Sequence, residues 1–182
     1  MFTYPHTIEN KHGEKLSFLR IVHEPGADKL ETEGWAKPGA GPLTHVHWKQ
    51  DESLTVISGK MATQIPGQEP VYYGPGETAT FLRGTWHRFW NSGNDELHIK
   101  GWITPPNNIV YFLTELYKAI DNGKNNRPEL TATSFIMRKY RSEFAAQGIP
   151  AFVRKVIMPL NYFFGKIRGA HKKFKDSPPA LT

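Results

Sequence analysis

A chain of 182 residues with 38% hydrophobic and 22% charged content is long enough to bury a real core and belongs with globular proteins, not disordered ones. The absence of cysteine excludes disulfides, thiolate metal ligands and cysteine nucleophiles, and is compatible with the cytoplasm. The net charge of +6 is unevenly placed: residues 1–123 hold 11 Lys/Arg against 14 Asp/Glu, whereas residues 124–182 hold 12 against 3.

The N-terminal stretch MFTYPHTIENKHGEK lacks the apolar core of a secretory signal, and no uninterrupted apolar run is long enough to span a bilayer. A cytoplasmic protein is expected, with peripheral membrane contact open to its basic part. From Leu16 to Trp102 short β-prone runs follow one another: LSFLRIV, KLETEGW, THVHW, SLTVIS, KMATQI, VYY, TATFL, HRFW and ELHIKGW. The turn-forming stretches HEPGAD, AKPGAGP, PGQEP and GPGE separate them. This pattern predicts an all-β antiparallel sandwich or barrel rather than an α/β fold.

Two of these runs carry chemistry. The first, GAGPLTHVHWKQDESLTVISG, reads G-x5-H-x-H-x4-E-x6-G through Gly39, His45, His47, Glu52 and Gly59. The second, GETATFLRGTWHRFWN, sets Gly76, Gly84, His87 and Asn91 at fixed spacing. Side chains alternate along a strand, so His45 and His47 share a face. The polar WKQD turns the chain, Glu52 opens the next strand, and Gly84 permits the turn that delivers His87. If those strands share an interior, three nitrogens and one oxygen converge. Such a set leaves one or two positions open on a divalent transition metal: Fe, Mn, Ni, Co or Zn. An isolated histidine pair is more often a polar strand face, but here Glu52, His87 and the spaced glycines agree. Asp51 is a rival to Glu52 as the oxygen ligand.

These two stretches resemble the two signature motifs of the cupin superfamily, in the right order, within a resemblance that runs from about Lys15 to Trp102. It implies a jelly-roll barrel, the double-stranded β-helix, and puts the family's acidic ligand at Glu52. One position departs: the family's proline two residues before the second-motif glycine is Leu82 here. The departure touches no ligand. Cupins with three histidines and one glutamate include dioxygenases, isomerases and decarboxylases. Small cupins commonly dimerise, so a homodimer is expected, with FTYPHTIEN a candidate for strand pairing. Glu52 is then also a candidate catalytic base.

Parity extends the site. Leu54 and Val56 share a face with Glu52, and Phe89 shares one with His87, giving a candidate substrate wall that is apolar and partly aromatic. Trp86, Arg88 and Trp90 then point the other way. On ELHIKGW the face of Leu97, Ile99 and Gly101 is favoured as interior over that of His98, Lys100 and Trp102, because buried charges need partners.

Beyond Thr104-Pro105-Pro106 the period changes, dividing the chain into a barrel over residues 1–104 and an α-helical, basic amphipathic extension over 105–182. Asn107 or Asn108 can cap a helix whose stripe is Ile109, Phe112, Leu113, Leu116, Tyr117 and Ile120, stopping near Gly123 and packing on the barrel. The linker GKNNRPE follows, then a second helix over about Thr131 to Gln147. A third starts at Pro150 and is kinked or split by Pro159. Residues 149–175 combine an apolar stripe with lysines and arginines, which suits packing on the barrel or a second copy, a protein partner, or an anionic membrane surface. Nucleic acid is disfavoured, since no binding motif accompanies the charge.

Two functions fit. One is a metal-dependent enzyme of dioxygenase or isomerase type acting on a small organic substrate. The other is a non-catalytic small-ligand-binding or sensing protein whose C-terminal helices report occupancy.

Overall fold

The computed structural model describes residues 2–125 and 127–182; Met1 and Asn126, the latter within the expected linker, lie outside the described residues. Ten strands come first: β1 (His6–Glu9), β2 (Glu14–Val22), β3 (Lys29–Ala36), β4 (His45–His47), β5 (Asp51–Ser58), β6 (Met61–Gln64), β7 (Val71–Tyr73), β8 (Thr78–Phe81), β9 (Arg88–Asn91) and β10 (Leu97–Thr104). The helices α1 (Ile109–Asp121) and α2 (Leu130–Lys139), a strand β11 (Phe144–Ala146), a π-helical turn (Val153–Ile157), α3 (Met158–Ile167) and a short 3-10 turn (Ala170–Phe174) follow. Each of the nine β-prone runs forms a strand, and β1 is added at the edge.

Every pairing is antiparallel. A six-stranded sheet runs β1-β2-β3-β10-β5-β8, a three-stranded sheet runs β7-β6-β9, and β4 pairs with β11. The spacing of strands and turns predicts an antiparallel sandwich or barrel, and this is the jelly-roll that the resemblance implies. Along β3 burial alternates strictly, with Leu30, Thr32, Gly34 and Ala36 inward and charged or aromatic residues outward. Gly101 on β10 lies opposite Leu54 on β5, where a Cβ would sit 2.3 Å from the Ser53 carbonyl oxygen. Only glycine lets these two strands approach so closely.

The sheets hold two apolar cores. Inside the barrel Leu54, Val56, Met61, Ala79, Phe81, Leu97 and Ile99 pack together. Leu97 and Ile99 are therefore interior and Lys100 is exposed, as parity predicted. The second core joins Phe18, Leu30 and Ile103 of the barrel to Ile109, Val110 and Phe112 of α1 and to Phe135, Ile136 and Tyr140 of the following segment. The stripe of α1 thus docks on the barrel, each fully buried side chain contributing about 1.5–3 kcal/mol.

The extension is not wholly helical, and this corrects the sequence reading. The expected second helix to Gln147 ends at Lys139. Tyr140 leaves the helical region, and Phe144-Ala145-Ala146 extends to pair with His47, Val46 and His45. The segment has no strong local preference for a strand; an open edge on β4 overrides its helical propensity. Glu143, fully buried, fastens the joint: its Oε1 accepts from Asn108 Nδ2 at 2.8 Å and from the Leu181 N–H at 3.0 Å. Its backbone carbonyl accepts the Trp48 N–H at 2.8 Å. Asn108 does precede α1, but its amide serves this joint and the Pro179 carbonyl and makes no side-chain cap. Tyr140 Oη also donates to the Pro178 carbonyl, so the last residues run back over the helices. Pro159 does not split the third helix: Ile157 and Met158 keep right-handed helical angles, and a widened π turn stands immediately before α3.

Candidate metal centre

His45, His47, Glu52 and His87 come together. One ligand atom from each lies within 4.8 Å of all the others. β4 places His45 and His47 on one side, while Val46 between them is fully buried on the other. The chain turns through Trp48 to Gln50, and Glu52 enters β5 on its inner face. The turn at Gly84, which holds φ +82°, brings the chain back, and its N–H donates to the His47 carbonyl at 2.8 Å. Leu82, at the family's proline position, is exposed, and the turn closes regardless through the Thr85 N–H to the Leu82 carbonyl. His45 and His87 then exchange both backbone hydrogen bonds, at 2.8 and 2.9 Å. Their ring centroids stand 4.4 Å apart, and that of His47 is 5.1 and 5.8 Å from them.

The donors are oriented from behind. The Leu43 carbonyl takes Nδ1 of His45 and the Thr85 carbonyl takes Nδ1 of His87, both at 2.9 Å. Each contact assigns the ring proton to Nδ1 and leaves Nε2 as the ligand atom. Nε2 of His87 meets Glu52 Oε2 at 2.9 Å. With Nδ1 committed to a carbonyl, this contact needs either a second proton or a cation between nitrogen and oxygen. His47 Nδ1 is buried without any hydrogen-bond partner. An unmet buried nitrogen and a carboxylate facing lone pairs form a donor set that fits a divalent transition metal.

Electrostatics keep the donors ready to ligate. Burial lowers His45 to about 3, and the neighbouring His47 and His87 add to the shift. Burial also lowers His47, against the pull of Glu52. Burial alone would raise Glu52, but the hydrogen bond from His87 and the three imidazoles outweigh it and hold the carboxyl at about 2. Neutral imidazoles and an ionised carboxylate are the forms that bind metal.

Asp51 is not part of the cluster. Its carboxylate is held by Arg83, at 2.8 Å to Nη2 and 3.0 Å to Nε, and that hydrogen bonding lowers its pKa. The rivalry with Glu52 is thereby resolved in space. Leu54 and Val56 lie buried one and two inward steps along β5 from Glu52, packed against Phe81, Met61 and Ile99. Phe89 is half-buried and packs against the same cluster, while Arg88 is exposed.

Two flanking residues escaped the sequence reading. Phe81 stacks on His87 with centroids 4.0 Å apart and planes 8° from parallel. Its inward position follows from alternation along TATFL. Phe144 presents its edge to His47 at 5.6 Å and stacks on Phe112 at 4.4 Å. No short-range pattern announces a residue so distant in sequence.

Residues 36–103 match the family model described as Cupin domain, over less than half of the chain. No curated protein sequence matches the chain. Among solved structures, one similar to it is an uncharacterized conserved protein with a double-stranded beta-helix domain from Klebsiella pneumoniae, at 22% identity, covering 54% of this chain and 82% of that one, TM-score 0.44. KdgF from Halomonas sp. is 21% identical over 55% of this chain and 87% of its own, TM-score 0.46. A sugar phosphate isomerase from Silicibacter pomeroyi is 23% identical over 50% and 59%, TM-score 0.43. At these identities and scores no activity is carried over. The segment that matches the Cupin domain model, residues 36–103, contains both histidine motifs.

Proposed function

We propose that His45, His47, Glu52 and His87 bind one divalent transition metal and that the protein is a metal-dependent enzyme of dioxygenase or isomerase type acting on a small organic substrate. The observation that carries this reading is the convergence of four ligand atoms within 4.8 Å. Bound there, the metal would supply Lewis acidity and open positions for a substrate oxygen or dioxygen. The chain's own residues do the rest. Phe81 holds the His87 ring, and the Leu43 and Thr85 carbonyls hold the tautomers. The apolar wall of Leu54, Val56 and Phe89 excludes water and favours an aromatic or enol substrate. Glu52 is ionised throughout the neutral range, so it serves first as an anionic ligand. It accepts a proton from substrate only after it swings away from His87, which frees it from the hydrogen bond that lowers its pKa.

The test has two arms. Elemental analysis of untagged protein purified without chelator is expected to find near-stoichiometric Fe, Mn, Ni, Co or Zn. Oxygen consumption and isomer formation against a panel of enols and small sugars are then expected to reveal turnover. Protein that stays metal-free and refuses added metal would refute the reading.

One observation favours a second reading, a non-catalytic ligand-binding or sensing cupin. Phe144, on a strand of the extension, touches His47 directly. Occupancy of the barrel can therefore be felt by the helices. Saturable ligand binding without turnover is the result expected from it.

A further inference from the structure

α3 has two apolar faces and uses one. The inner face holds the buried Met158 and Gly165 together with Tyr162: Tyr162 stacks on Phe135 of α2 at 6.1 Å, and a Cβ on Gly165 would lie 2.8 Å from His171 Nε2 in the following 3-10 turn. The opposite face is open. Leu160, Phe163 and Ile167, spaced by three and four residues, share the outer face of α3, and Phe152 and Val156, before and within the π turn that leads into it, are exposed as well. Phe152 is 65% exposed, Phe163 58% and Ile167 67%; Phe164 beside them is also exposed. Scattered surface apolar residues are ordinary, but a continuous aromatic and aliphatic stripe marks a contact.

The charge around the stripe selects its occupant. Between residues 150 and 175 there are seven basic side chains (Arg154, Lys155, Lys166, Arg168, Lys172, Lys173 and Lys175) and no acidic one. All seven are exposed, and Glu129 engages only Lys173, at 3.1 Å, among the described residues. A second copy docked face to face would set these cations against their own kind. Nucleic acid would match the cations but leaves Val156, Leu160 and Ile167 nothing apolar to enter. An anionic bilayer surface satisfies both features: acyl chains receive the stripe and headgroup phosphates meet the lysines and arginines. None of the helices is long and apolar enough to cross the membrane among the described residues. We infer that the outer face of residues 152–167 is a membrane-surface anchor that lies in the interface of an anionic bilayer.

Flotation of the full chain with vesicles tests this. Phosphatidylcholine vesicles containing about one-third phosphatidylglycerol are expected to carry the protein upward in low salt, pure phosphatidylcholine far less, and about 0.5 M NaCl should release it. Phe163→Glu with Ile167→Glu should abolish flotation, and Lys166→Ala with Arg168→Ala should weaken it about tenfold or more. All four positions are solvent-exposed, so the circular dichroism spectrum and the metal content should not change. Three results would overturn the inference. One is folded wild-type protein that stays at the bottom of the gradient at low salt. Another is a wild-type dimer that Phe163→Glu with Ile167→Glu converts to a monomer without any vesicle binding, which gives the stripe to a second copy. The third is a single-stranded oligonucleotide that displaces the vesicles and binds the stripe variant equally well.

Discussion

Replacing Phe144 by alanine asks whether the extension completes the metal centre or merely accompanies it. The ring is 4% exposed, stacked on Phe112 and set edge-on to His47. Truncating so buried an aromatic costs about 3–5 kcal/mol through lost burial and the cavity left behind. For a chain of this size each kcal/mol is worth about 2–4 °C in Tm, so a fall of roughly 10 °C is expected. The backbone pairing of β11 with β4 does not need the ring, so the protein should still fold at 20 °C or below. What changes is the flank of His47, now free to tilt. Metal affinity should fall about tenfold, the scale of losing a group that orients a ligand. Thermal denaturation of the chelator-treated protein, together with competitive metal titration, reads both effects. Phe144→Leu, which keeps most of the volume, should recover most of the Tm. A variant with wild-type Tm and wild-type affinity would refute the packing of β11 against the barrel.

Other outcomes follow from the same geometry. His47→Ala or His87→Ala should remove most of the bound metal while the barrel persists, checked by elemental analysis beside circular dichroism; unchanged stoichiometry in either would remove the site. In metal-free protein the folded pKa of His45 lies near 3, below its unfolded 6.5, and that of Glu52 near 2, below 4.5. The unfolded chain therefore takes up protons that the folded chain refuses, and stability falls with falling pH. The loss begins through 6.5 with the imidazole, continues below 4.5 with Glu52, and ends near 3 and 2 respectively. From pH 7 to 5 His45 alone accounts for about 2 kcal/mol, so His45→Asn should flatten the dependence in urea denaturation. Gly101→Ala drives a Cβ into the Ser53 carbonyl and should destabilise by about 3 kcal/mol or more, seen as a lowered urea midpoint.

What the sequence showed and what it hid have different ranges. The nine strands were legible because alternation and turn residues act locally, and β3 displays the alternation without exception. The convergence of His45, His47, Glu52 and His87 was legible because two short motifs fix strand parity and the turn at Gly84. Choosing Glu52 over Asp51 needed the family; the structure supplies the physical reason in Arg83, which claims Asp51 across the turn. β11 was hidden because its partner lies nearly a hundred residues earlier, and FAAQ has no strand signature of its own. Glu143 was hidden for the same reason: its partners at Asn108 and Leu181 are distant, and glutamate in a basic segment reads as a surface residue.

The pairing of β11 with β4 also sets an order of assembly. β1, β2 and β3 meet through short connections, whereas the edge that carries His45 and His47 waits for Phe144 to Ala146. Closing so long a loop is entropically slow, so it follows the local pairings. On a ribosome the partner strand emerges only after both helices that precede it. Until then β4 has a bare edge and His47 an open flank, and a metal ion arriving early would meet ligands not yet fixed in place. A protein cut after residue 104 would keep His45, His47, Glu52 and His87 in its sequence and lack the strand that pairs with β4.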